Sequence, residues 1–95
     1  MRERDFQREL ICEIEDRFPE CYVTKVESYI QGFPDLLILY KDKWAMLEVK
    51  ASRTASHQPH QDDYIEDLNR MSFASFIYPE NREDVLHDLE QAFFT

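Results

Sequence analysis

The chain reads as an α/β fold in the order helix, three strands, helix, strand, helix. Three observations predict it. Phe6, Leu10 and Ile14 recur at helical spacing, and so do Gln61, Tyr64, Ile65, Leu68 and Met71. Leu36–Tyr40 and Trp44–Val49 are short apolar runs, bounded by polar or turn-forming residues. Ninety-five residues, 43% of them hydrophobic, fill one core and not two, so residues 1–95 are expected to form one domain.

In chain order, residues 2 to about 17 form an amphipathic helix, with Ile11 widening its stripe. Phe18-Pro19 ends it, because proline disfavours helix in the residue before it. Cys21 to about Ser28 suits a strand through Tyr22, Val23, Thr24 and Val26. Gly32, the only glycine, then permits a turn, and Pro34 stiffens the approach to Leu36–Tyr40. Pro59 is placed for the first turn of the second helix. Phe73–Tyr78 is the fourth strand. Asn81 should cap a last helix carrying Val85, Leu86, Leu89 and Phe93.

Composition excludes several classes. No apolar run is long enough to span a membrane, and the charged start MRERDFQREL is no signal peptide. Cys12 and Cys21 fit two reduced, half-buried thiols, which points to the cytoplasm. The net charge of −9 is unusual for a protein that tracks DNA, since phosphate neutralisation supplies that affinity. The acids are uneven, however. Seven lie in residues 1–20, four in 62–67 and five in 80–90, and none between Val49 and Gln61. Lys50, Arg53, His57 and His60 all fall in or at the edge of that acid-free window.

The stretch from Gly32 to Lys50 carries the chemistry. By the two-residue period, Trp44, Met46, Glu48 and Lys50 share one face of their strand. A turn of two or four residues around Lys41-Asp42-Lys43 puts Asp35 on that face too. A carboxylate at the end of a buried strand needs water, a partner or a metal. Asp35 and Glu48 together make a hard oxygen pair suited to Mg²⁺ or Mn²⁺. Lys50 reaches the same pocket and could hold an attacking water; the bland alternative is a surface ion pair with Glu48.

Pro34-Asp35 followed by Glu48-Val49-Lys50 resembles the signature of the PD-(D/E)XK nuclease superfamily. GFPDLLIL and WAMLEVK are most similar to its small virus-type replication-repair nucleases and short phage endonucleases. Glu3, Phe6 and Leu10 resemble the first helix of archaeal Holliday-junction resolvases, and Gln61-Asp62-Asp63-Tyr64 resembles the Gln-x-x-Tyr element of RecB-like nucleases. The resemblance implies a restriction-endonuclease-like α-β-β-β-α-β core, a mixed central sheet flanked by helices, followed here by a C-terminal helix. It implies a Mg²⁺- or Mn²⁺-dependent endodeoxyribonuclease acting on DNA, branched, junction or flap DNA included, in a phage or bacterial host cytoplasm. Asp35, Glu48 and the Val49 carbonyl would hold the metal, with Lys50 orienting water. Glu3 would support the site, with Glu9 as its competitor. Gln61 would buttress it, or else only cap its helix.

Arg53, His57 and His60 are expected as substrate contacts. His57 and His60 are separated by Pro59 and have no nearby Cys, so two loop imidazoles meeting phosphate fit better than a zinc site. The acidic balance keeps a second reading open, a non-catalytic DNA mimic or partner-binding protein on a degenerate nuclease fold. A homodimer, or a larger nucleoprotein partner, would supply surface and positive charge that this chain lacks.

Overall fold

The computed structural model describes residues 1–95. Its elements are α1 (Glu3–Arg17), β1 (Tyr22–Lys25), β2 (Leu36–Tyr40), β3 (Lys43–Val49), α2 (Gln61–Met71), β4 (Phe73–Ile77) and α3 (Arg82–Phe93). The four strands form one mixed sheet in the order β1-β2-β3-β4. β1, β2 and β3 are successively antiparallel, whereas β4 runs parallel to β3 after the crossover through α2. No helix is long and apolar enough to cross a membrane.

The two faces of the sheet are used differently. Leu36, Ile38 and Tyr40 of β2 point the same way as Ala45, Leu47 and Val49 of β3. Against them lie Phe6, Leu10 and Ile14 of α1 and Val85, Leu86, Leu89 and Phe93 of α3, and this is the core. Phe18 ends α1 by plunging into it and meets the rings of Tyr40 and Phe93 edge-on. Arg17 ties α1 to α3, its guanidinium bonding Glu13, Glu83 and Glu90. The opposite face carries Met46 and Glu48, and Gln61 at the start of α2 reaches Glu48.

Strand register follows from a two-residue turn. Tyr40 opposes Lys43, with Lys41 at φ 57° and Asp42 between them. β2 and β3 then pair back to Leu36 and Leu47. The next hydrogen-bonded position would set Pro34 against Val49. Proline has no N–H to donate, and the Val49 N–H is taken instead by Asp35 Oδ2 at 3.1 Å. The two strands part there, and the carboxylate enters the gap.

Several local expectations need correction. β1 stops at Lys25 rather than Ser28, because after the Val26 N–H reaches the Asp35 carbonyl, β2 offers nothing more to pair with. Pro59 lies outside α2: His60, at φ 70°, is its N-cap and the helix begins at Gln61. Met71, expected in the buried stripe, is 71% exposed, as the last helical residue before Ser72 turns the chain into β4. Asn81 occupies the N-cap position of α3 but makes no side-chain cap. Its amide instead accepts the Tyr78 N–H and donates to the Phe76 carbonyl, fastening the turn after β4. Cys12 is exposed rather than half-buried; Cys21 is partly covered.

Candidate functional site

Gly32 fixes how the connection from β1 to β2 meets the start of α2. Its φ is 85°, and a Cβ there would stand 2.9 Å from the Pro59 carbonyl oxygen and 3.3 Å from Gln61 Cγ. One residue on, the Phe33 ring packs on Tyr64 of α2, centroids 5.8 Å apart. The Pro34-Asp35 turn is thereby docked on the helix that carries Gln61.

Gln61 is the centre of the polar network. Its Oε1 accepts from Lys50 Nζ at 2.8 Å and from the Gln58 N–H at 2.9 Å. Its Nε2 donates to Glu48 Oε2 at 3.1 Å. Lys50 Nζ also donates to the Ser56 carbonyl at 2.9 Å and lies 3.8 Å from Glu48 Oε2. Glu48, Lys50 and Gln61 are the only buried polar or charged residues in the molecule. Burial of an ammonium is tolerable here because a carboxylate and two oxygen acceptors surround it.

Glu48 is less satisfied. Its Oε1 is the one buried side-chain nitrogen or oxygen without a hydrogen-bond partner. Burial, then the charge of Asp35, pushes its carboxyl up to about 8, against the pull of Lys50. Asp35 is also raised, by burial above all, although the Val49 N–H, Glu48 and Lys50 oppose the shift. Glu3, exposed at the start of α1, is raised by partial burial and by Asp35. Three carboxyls thus converge without enough positive charge to balance them.

These residues fit a hard divalent cation. The orphaned Glu48 Oε1 is an open oxygen ligand, and Asp35 lies beside it. Extending the register of β2 and β3 would set Val49 opposite Pro34, which has no N–H to offer its carbonyl. No group of three or more His, Cys, Asp or Glu side chains is gathered closely enough to hold a metal alone. A cation here would have two carboxylates and a carbonyl as its donors, the sparse kind of set that leaves places for water and phosphate.

The remaining expected residues divide. Glu3 is near enough to feel the charges of Asp35 and Lys50, whereas Glu9 pairs with Arg82 of α3 at 3.8 Å. His57 lies between Ser56 and Gln58, both bonded to the network, with its Nδ1 2.7 Å from Asp62 Oδ1. His60 is on the rim, 71% exposed, 3.4 Å from Asp63. The two imidazoles each have their own aspartate and do not form a zinc pair. Arg53 makes no contact with the site; its backbone N–H reaches both Glu80 carboxylate oxygens at 3.3 Å, and its guanidinium is unpaired. The Ser56 carbonyl and the Gln58 N–H are parts of the network that sequence reasoning missed, being backbone groups with no residue-type signal. Phe76, under the His57 ring, was missed as well; only strand alternation in β4 hints at it.

Comparison of the chain with family models, curated proteins and solved structures returned no match.

Proposed function

We propose that the protein is a metal-dependent deoxyribonuclease of the PD-(D/E)XK type, hydrolysing a phosphodiester by attack of water. The observation that carries this reading is the unpartnered, buried Glu48 Oε1 beside Asp35, in a network that holds Lys50. Asp35, Glu48 and the Val49 carbonyl are the residues that would hold Mg²⁺ or Mn²⁺. A bound cation of this kind supplies charge stabilisation at the phosphoryl group and a water that ionises near neutral pH. Lys50, fixed by Gln61 and the Ser56 carbonyl, would orient the attacking water and meet charge developing on phosphate. Glu3, near enough to feel the charges of Asp35 and Lys50, would receive a proton or hold a water in place.

The acidic balance does not oppose this reading as strongly as the total implies. Residues 21–61, which hold the strands and the site, carry five Lys and Arg against four Asp and Glu. The surplus acid lies in the segments of α1, α2 and α3. DNA would therefore approach over the Gly32–Gln61 side, with His57 and His60 as phosphate contacts and Arg53 at the margin. Extra positive charge would come from a second copy of the chain or a nucleoprotein partner.

The net charge of −9 favours one rival, an acidic mimic of the phosphate backbone that binds a basic partner. Incubation with linear, single-stranded and branched DNA, with Mg²⁺, Mn²⁺ or a chelator, separates the two. A nuclease cleaves at least one substrate and stops on chelation. A mimic cleaves none and binds none.

A further inference from the structure

We propose that His57 is a catalytic residue, its Nε2 giving a proton to the sugar oxygen that leaves phosphorus. The inference rests on the phosphodiesterase reading above and adds a role that Asp35, Glu48 and Lys50 do not fill.

The placement comes from both sides of the residue. The carbonyl just before His57, that of Ser56, holds Lys50 Nζ at 2.9 Å, and the N–H just after it, that of Gln58, is held by Gln61 at 2.9 Å. The backbone of His57 is thus pinned to the network at either end. Its ring is pinned as well, stacked on Phe76 with centroids 4.2 Å apart and planes 20° from parallel. Phe76 is the register partner of Glu48 on β4. Partners in a sheet share a face and stand about 5 Å apart. The imidazole therefore covers the position next to Glu48, on the flank away from Asp35.

The orientation of the ring is also set. Nδ1 is engaged by Asp62 Oδ1 at 2.7 Å, which leaves Nε2 as the nitrogen without a hydrogen bond, on a side chain 34% exposed. His60 offers a contrast: its contact with Asp63 is 3.4 Å, and its ring is 71% exposed and unstacked. Only His57 has the fixed geometry that proton transfer requires.

The step balances simply. The oxygen of water bonds to phosphorus as the bond from phosphorus to one sugar oxygen breaks. That oxygen takes the Nε2 proton and leaves as an alcohol, and the imidazole is reprotonated from solvent. Entering and leaving oxygens lie on opposite sides of phosphorus. With water on the Asp35 side of Glu48, the leaving oxygen faces the His57 flank.

The test uses a substrate the parent protein cleaves, made with its normal leaving oxygen and again with sulfur in that place. The ends of the parent's products identify which bridging atom leaves. A thiolate departs without a proton, so it removes the need for an acid. His57→Asn keeps a partner for Asp62 but no group at Nε2, whereas His57→Gln puts a hydrogen-bonding amide there that cannot transfer a proton. Both variants should lose about 10²- to 10³-fold on the oxygen substrate. Both should stay within a few-fold of the parent on the sulfur substrate. The ratio of the two rates within one variant is independent of how much of it is folded. Equal losses on both substrates, no loss on either, or near-normal oxygen-substrate activity in His57→Gln alone would overturn the role. A parent that cleaves neither substrate would overturn the phosphodiesterase reading along with it.

Discussion

Lys50 Nζ and Gln61 Oε1 stand 2.8 Å apart, and the same glutamine amide donates through Nε2 to Glu48 Oε2. One uncharged side chain thereby orders the buried lysine and the buried glutamate. It keeps the ammonium bonded while leaving the other glutamate oxygen without a partner. Gln61 can do this because Gly32 lets the preceding turn approach within van der Waals contact of it.

Gln61→Ala removes a partner from each of these groups at once. An orphaned buried polar group costs about 1–3 kcal/mol, so the variant should unfold at clearly lower denaturant. It should also lose metal-dependent activity more steeply than stability, because Lys50 and Glu48 are no longer held in register. Urea titration alongside single-turnover cleavage checks both.

Gly32→Ala tests how the turn is docked. A non-glycine residue at φ 85° costs about 1–2 kcal/mol, and the 2.9 Å approach to the Pro59 carbonyl adds to it. A loss of about 2 kcal/mol or more is expected by urea titration. Gln31→Ala, at the neighbouring exposed position, should change stability by less than about 0.5 kcal/mol.

Without metal, stability should depend on pH in a direction set by Glu48. Its carboxyl, near 4.5 in the unfolded chain, is raised to about 8 in the folded one. Below about 4.5 both states hold the proton, so the group makes no difference. Between 4.5 and 8 the unfolded chain loses the proton and the folded one must keep it, so stability falls as pH rises. The raised carboxyls of Asp35 and Glu3 act in the same sense. The melting temperature of the metal-free protein should drop between pH 5 and pH 8 by at least about 5 °C, the effect of roughly 1 kcal/mol in a domain this size. Millimolar Mn²⁺ should raise the melting temperature at pH 8 by mass action, and Glu48→Gln should abolish that rise and shrink the pH dependence. A melting temperature that is flat with pH and indifferent to Mn²⁺ would count against the carboxylate cluster.

The strand pair was legible in the sequence because two short runs with a shared two-residue period allow few registers once a tight turn joins them. That pairing brings Asp35 toward Glu48, and the observed turn at Lys41-Asp42 delivers it. Glu3 and Gln61 were legible as residues in line with buried helical stripes. The ends of elements were harder. His60 adopts a left-handed conformation that no β-propensity or capping preference announces, and it moves the start of α2 past Pro59. Asn81 has the side chain of a cap, yet nearby backbone groups of the β4 turn compete for it and win. The contacts to the Ser56 carbonyl and the Gln58 N–H follow from the path of a loop, which has no period to read.

The central claim is that Asp35, Glu48 and Lys50 form one metal-dependent hydrolytic centre. The most direct measurement is cleavage of a DNA substrate by the parent protein, Glu48→Ala and Lys50→Ala at equal concentration with Mn²⁺, each first shown to be folded by circular dichroism. The parent should cleave until a chelator is added, and both variants should lose at least about 10²-fold. Folded variants that cleave as fast as the parent would contradict it.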